Sequence, residues 1–262
     1  MELPVDRWYE VLHHRHSWRS YQEIPVEAEK LYRLREICAR FSGPGARAKI
    51  VSEDIEGVFR GFIASYGKVT GAPAYAAFIG DTRDPNMFEK AGWLGESIVL
   101  EAVALGLSTC WVAATFHSEA VAEDIKIAAH ERVLAISPLG YRTDEPSRND
   151  KIMQALVRHH TREPLDELCS GLTEQICPLW AKEALEAARL APSAANRQPW
   201  RFLLTDNSIT ITVDRTRDTH GISKRLDCGI AMLHVELGAR HAGVNGRWEY
   251  LKPPDVARFT IT

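Results

Sequence analysis

The chain has 262 residues, 45% of them hydrophobic, and a formal net charge of -3, so it can bury a core in one large or two small domains, and no whole-protein field points to nucleic acid or an anionic membrane. Its five cysteines, Cys38, Cys110, Cys169, Cys177 and Cys228, are odd in number and form no C-x-x-C pair, which gives neither a disulfide framework nor a zinc site. The opening MELPVDRWYEVLHHRH has no apolar signal core and no run approaches the ~18 apolar residues of a membrane span, so the expectation is a cytoplasmic protein.

In chain order, Trp8, Val11 and Leu12 share one face of a first helix, and Leu31, Leu34, Ile37 and Cys38 share one face of a second, after the break at Pro25. The apolar runs AYAAFIG (74–80), TCWVAA (109–114) and VLAIS (133–137) read as buried strands. A helix over about 89–105 separates the first two, and another over about 118–129 follows the second. Residues 201–214 read as a hairpin turning at Asp206 and Asn207, with Ile209, Ile211 and Val213 alternating. No low-complexity linker divides the chain, and the class is α+β.

The sequence also repeats itself. With Gly106 laid on Gly243, an offset of 137 residues, Gly92 meets Gly229, Leu100 meets Leu237, Ala102 meets Ala239 and Trp111 meets Trp248. Each copy is then a helix, a glycine and a strand carrying tryptophan. Upstream, EICARFSG ends its helix as EAARLAPS ends the later one. A duplication of this kind implies a pseudo-dimer whose copies cover each other's apolar faces.

One stretch calls for a ligand. APSAANRQPWRF (191–202) places serine, asparagine and glutamine between two prolines, where an ordinary connection needs only a turn. This stretch resembles the Pro-Ser-x-x-Asn-x-Gln-Pro-Trp loop of the nitroreductase family of flavin enzymes. RHSWRSYQEIPV (15–26) resembles that family's basic-x-Ser-x-basic opening, at the end of the first helix. GAPAYAAFIG, GESIVLEAVALGLSTCW and LGYRTDEPS are similar to its later strand, central helix and closing strand, and TREPLDEL to its Arg-x-Pro-Leu tail. The order is unusual. The loop follows the basic motif by about 175 residues, and the expected place near residues 39–47 holds only ARFSGPGAR. The resemblance therefore implies a nitroreductase-like fold in two degenerate copies, 1–165 and a shortened 166–262, around mixed or antiparallel sheets. The mirror site lacks both signatures, which implies about one FMN per chain.

The resemblance assigns Arg15, Ser17 and Arg19 to the FMN phosphate, with the two guanidinium groups and the hydroxyl projecting from about one turn, and counts His16 among the cofactor-binding residues; Arg162 of the tail would close that pocket. Taken alone, HHRHSWR also reads as a solvated basic helix end, and HHRH as a metal site that lacks a carboxylate or cysteine. Lys68 is placed beside the flavin pyrimidine edge as an electrostatic stabiliser of the reduced ring, with Ser65 nearby and the backbone of Ala114 and Thr115 facing N5 and O4. There AATF departs from the acidic residue and glycine common in the family. Ser193, Asn196 and Gln198 would satisfy ribityl and ring atoms, while Pro192 and Pro199 limit the loop's freedom, and Trp200 packs in the core. In isolation the loop also reads as one that hydrogen-bonds itself.

The reading implied is an FMN oxidoreductase fed by NADH or NADPH that reduces a nitroaromatic, quinone or similar small acceptor. No metal, nucleic acid or membrane enters it, and a monomeric pseudo-dimer, open to further self-association, completes it. A flavin-binding or regulatory protein without turnover and a cofactor-free structural pseudo-dimer are the alternatives.

Overall fold

The computed structural model describes residues 2–53, 55, 58–59, 69–114, 116–144, 161–171, 177–214, 218 and 221–262. Contacts divide the chain into two compact units, one of residues 14–159 and one of residues 1–13 with 160–262. The sequence copies drawn at 165/166 and these contact units therefore cut the chain at different places.

In the unit of residues 14–159, helix α2 (Ala28–Phe41) leads into β1 (Ala46–Val51), β2 (Ala74–Asp81), α3 (Met87–Ala104), β3 (Ser108–Thr109), α4 (Ser118–Ile125) and β4 (Glu131–Gly140). The sheet runs β1-β2-β4-β3 with every pairing antiparallel. β2 lies inside the sheet and is buried on both faces from Ala74 to Gly80, which is why its sequence is an unbroken apolar run. α3 is buried nearly all round and keeps Glu96 and Glu101 by pairing them: Trp111 Nε1 donates to Glu96 at 2.7 Å, and Arg33 Nε donates to Glu101 at 2.9 Å. The helix stops where Gly106 takes φ +79°, with Gly106 N–H donating to Val103 O and Leu107 N–H to Ala102 O at 2.9 Å each.

In the other unit, α1 (Val5–Val11) packs on a long helix near the C-terminus. A helical turn at Leu165–Leu168 leads into β5 (Cys169–Gly171), then α5 (Leu179–Arg189), β6 (Trp200–Leu204), β7 (Ser208–Val213), α6 (Lys224–His241), β8 (Gly246–Tyr250) and β9 (Asp255–Ile261). Its sheet runs β5-β6-β7-β9-β8, with β5 parallel to β6 and the rest antiparallel. α5 lies close along α6, because a Cβ at Gly238 would fall 2.4 Å from Glu183 O and 2.6 Å from Ala184 Cα. α6 ends as α3 does: Gly243 has φ +82°, its N–H donates to Arg240 O, and Val244 N–H donates to Ala239 O, each at 2.9 Å.

The chain belongs to the expected α+β class, and the offset of 137 carries the limits of α3 onto those of α6, each 18 residues long. Two local expectations are corrected. The strand expected at 109–114 shrinks to Ser108–Thr109 and an isolated bridge between Val112 and Ile136. The basic motif does not project from a helical turn, since α1 ends at Val11 and residues 15–20 are held by isolated bridges, Ser17 to Thr109 and Ser20 to Thr70.

Candidate functional site

Residues 17–21 are tied down on both sides. Trp18 N–H donates to Thr109 O, Tyr21 N–H to Thr70 O, and Thr70 N–H to Arg19 O, each at 2.9 Å. Tyr21 Oη donates to Trp18 O at 2.7 Å, and the Arg142 guanidinium lies over the Trp18 ring at 4.6 Å. These bonds to neighbouring strands and loops, and not a helical turn, hold the basic motif. His16 is exposed.

Arg15 is buried, 8% exposed, and its Nε and Nη1 have no hydrogen-bond partner among the described residues. The hydroxyl of Thr109, the bridge partner of Ser17, is also buried without one. An ionised donor buried in this way costs more than a neutral one, ~1–3 kcal/mol or above, unless an anion answers it. The donors present therefore suit an anion with several acceptor oxygens.

The second region is the loop after α5. Pro192, Gln198, Pro199 and Trp200 are buried in it. Ala195, Asn196 and Gln198 adopt φ of 50°, 54° and 43°, a left-handed course that costs on the order of 1 kcal/mol per non-glycine residue and persists only when neighbours enforce it. The enforcing bonds are numerous. Ser193 Oγ accepts from Gln198 N–H at 2.9 Å, leaving its own proton to donate. Gln198 Oε1 accepts from Glu163 N–H at 2.9 Å, and Gln198 Nε2 donates to Thr161 O and Asn196 O at 3.3 Å. Asn196 Nδ2 donates to Thr161 O at 3.0 Å, and Asn196 Oδ1 accepts from Arg162 Nη1. Arg162 Nη2 donates to Leu190 O at 3.0 Å and so caps the C-terminal end of α5.

Residues 161–163 thus strap the loop, and the amide of Gln198 is spent on that strap. Arg162 bonds to the loop and to α5. Two further residues that sequence reading missed complete the loop's support: Arg197 Nε donates to Asp227 Oδ2 at 2.7 Å, and Ala194 N–H donates to Asp227 Oδ1 at 3.1 Å. Burial pushes the Asp227 carboxyl up to about 6, against the opposing pull of the Arg197 guanidinium. A polar residue inside the apolar face of α6 was the available signal, though its partner lies 30 residues earlier.

Of the remaining expected positions, Ala114 is exposed just beyond the Val112 bridge. Ser65, Lys68 and Thr115 lie outside the described residues. Among the described residues no helix is long and apolar enough to cross a membrane.

Comparison with known proteins agrees with this fold. The family described as "Putative TM nitroreductase" matches residues 7–239, and the chain belongs to that nitroreductase family. It is similar to the crystal structure of a "putative nitroreductase" from Thermotoga maritima MSB8, with a TM-score of 0.66 at 22% identity over 97% of this chain and 93% of that one. This likeness shows the nitroreductase-like fold. A nitroreductase family protein from Clostridium difficile 630 aligns over 66% of this chain and 99% of its own, at 22% identity and a TM-score of 0.48. A curated relative, "Putative NAD(P)H nitroreductase acg" of Mycobacterium tuberculosis, is 30% identical over 79 residues; the match spans 28% of this chain and only 24% of the relative's length.

Proposed function

We propose that the chain is an FMN-dependent oxidoreductase that takes a hydride from NADH or NADPH and delivers it to a small acceptor such as a nitroaromatic or a quinone. The observation that carries this reading is the buried guanidinium of Arg15, with two nitrogens that no group among the described residues answers. A phosphate monoester supplies both the charge and the acceptor oxygens to answer it. Ser17 and Arg19 follow at alternate positions and complete a phosphate clamp.

Bound FMN supplies the ring atom that accepts and returns the hydride. The chain's own part is to hold, orient and charge that ring. On this reading Lys68 would favour negative charge at the pyrimidine edge, Ser65 would bond the same edge or the ribityl chain, and the backbone of Ala114 and Thr115 would face the reacting side. Ser193 and Asn196 would contact the ribityl chain, Asn196 while its amide also bonds the strap of residues 161–163, and Pro192, Gln198 and Pro199 would keep that loop stiff. None of these groups has to act as a nucleophile, and no catalytic triad is required. The sequence Ala113 to Phe116, which lacks an acidic residue and a glycine, favours a second reading, a flavin protein with little turnover.

The test is the purified protein itself. Its absorption spectrum should show flavin, acid extraction should release about one FMN per chain, and anaerobic NADPH should bleach it. Failure to take up added FMN overturns the reading, and flavin that no nicotinamide bleaches selects the second one. Two FMN per chain would overturn the single-site argument.

A further inference from the structure

One carboxylate holds the loop of residues 193–198 from the side of α6. Asp227 is 3% exposed, and its two oxygens take Ala194 N–H at 3.1 Å and Arg197 Nε at 2.7 Å. Arg197 Nη2 then donates to Ile222 O at 3.1 Å, just before the helix. These bonds bracket Ala195 and Asn196, two of the three left-handed residues. Left to itself, an alanine avoids that conformation. Tying residues 194 and 197 to one carboxylate selects it.

The helix does not need this acid for its own start. Its N-cap is Ser223, whose Oγ accepts from Arg225 N–H at 3.3 Å. A buried ion pair often contributes less stability than an apolar pair of the same size, and its surviving use is to fix one conformation among several.

The other unit carries the same device with its charge reversed. The offset of 137 lays Lys90 of α3 on Asp227 of α6. Lys90 Nζ donates to Pro44 O at 3.1 Å and to Asp84 Oδ2 at 2.6 Å, and Pro44 belongs to the turn after α2 as the loop belongs after α5. One position on the long helix therefore anchors the chain after the preceding helix in both units. An ammonium there seizes a carbonyl and accompanies a tight turn, whereas a carboxylate seizes an amide and accompanies the longer left-handed loop.

We propose that Asp227 is a positioning residue, which fixes the loop of residues 193–198 through Ala194 and Arg197 and thereby sets the affinity for FMN without touching the flavin. The proposal rests on the FMN reading above. Preorganisation is its physical basis, because a loop already ordered loses little entropy when the ligand arrives.

The experiment uses the full chain, with Asp227→Asn, Arg197→Gln, the double variant and the conservative Arg197→Lys. Two readouts are taken: FMN affinity by flavin fluorescence titration, and amide hydrogen exchange of residues 194–198 in the apoprotein. Asp227→Asn and Arg197→Gln should each lower FMN affinity by about tenfold or more, and the double variant should be little worse than either, since both break one bond. Loop amides should lose protection in all three variants, and Arg197→Lys should recover part of both readouts. Met232→Ala, a buried change elsewhere in α6, should lower the melting temperature with no comparable fall in affinity.

Unchanged loop exchange and unchanged affinity in Asp227→Asn overturn the proposal, as does a Met232→Ala protein that loses affinity as strongly. If Asp227→Asn does not fold, Arg197→Gln breaks the same bond from the loop side and decides alone. A wild-type chain that binds no FMN but whose loop loosens in Asp227→Asn would refute the flavin reading and leave the positioning role standing; the reverse pattern refutes only the latter.

Discussion

The two units repeat one succession of elements, helix, strand, strand, long helix, strand, strand, with α4 added before the last strand in the unit of residues 14–159. Their sheets follow it in the same order, β1-β2-β4-β3 in one and β6-β7-β9-β8 in the other. Even the irregularities correspond, with a register shift between Phe78 and Ile79 on β2 and another between Ile211 and Thr212 on β7. The difference lies in the chain after the first helix of each set. After α2 it is a tight turn, in which Gly43 and Ala46 exchange backbone hydrogen bonds and Gly45 has φ +93°. After α5 it is a loop rich in side-chain bonds, strapped by residues 161–163. A shared framework has kept its packing in both units and its ligand-type loop in one. Packing tolerates few changes, whereas a surface connection tolerates many.

The largest effect expected from this comparison lies in the helix pairs. Glu101 of α3 is buried and bonded to Arg33, and the equivalent position in α6 is Gly238, pressed against the backbone of α5. Gly238→Glu should cost more than about 3 kcal/mol in urea denaturation, because it inserts both volume and an unanswered charge. A loss below about 1 kcal/mol would break the claim that α5 and α6 need that close approach.

Next in size is the anion clamp. Arg15→Ala should weaken FMN by about tenfold to a hundredfold, the range of one charge-assisted bond, and leave riboflavin nearly unaffected because it has no phosphate. Equal weakening of both would mean that Arg15 acts through the fold.

A pH series separates the two units by the sign of the shift of one arginine-paired acid in each. The Arg47 guanidinium beside Glu131 holds that carboxyl down at about 2, so its contribution is present above about 4.5 and is lost as pH falls toward 2. Asp227 runs the other way. Its folded value of about 6 lies above the ordinary 3.8, so the native state binds the proton more tightly, and this contribution is present below about 4 and lost as pH rises through 6. The stability of wild type relative to Asp227→Asn should therefore decline between pH 4 and pH 7, by on the order of 1–3 kcal/mol. A flat difference would mean that Arg197 fully offsets the burial.

The smallest effect expected is at the counterpart of Asp227. Lys90→Met should loosen the turn after α2 at a cost of no more than about 1 kcal/mol and change FMN affinity by less than about twofold. A tenfold loss of affinity would make that turn part of the flavin site and end the asymmetry between the units.

Much of this was legible in residues. Apolar periodicity located α2, α3 and α4, the run at residues 74–80 gave β2, and the repeat of glycine, leucine and tryptophan found the offset that relates α3 to α6. Periodicity alone did not locate β1, because ARAKIV mixes basic and apolar residues after a glycine-proline turn; only the repeat, in which both helix ends lead into a strand, pointed to it. β5 was missed because three residues paired to a neighbour have no period of their own. The basic motif was found but given the wrong local shape, since bridges to Thr109 and Thr70 set its conformation from outside the segment.

The sequence by itself determined the α+β class, the duplication, the family and the two segments rich in ligand-type groups, because each is written in residues close together along the chain. Only the tertiary structure decided which of those groups have partners. It left Nε and Nη1 of Arg15 without one among the described residues, bonded Gln198 to the strap at residues 161–163, and set Asp227 beneath the loop through a partner 30 residues away. It also cut the compact units at 13/14 and 159/160, because α1 packs on α6 and residues 161–171 bond to the loop and to β6. Periodicity reports which side of an element is buried, but the identity of what covers it depends on where distant parts of the chain come to rest.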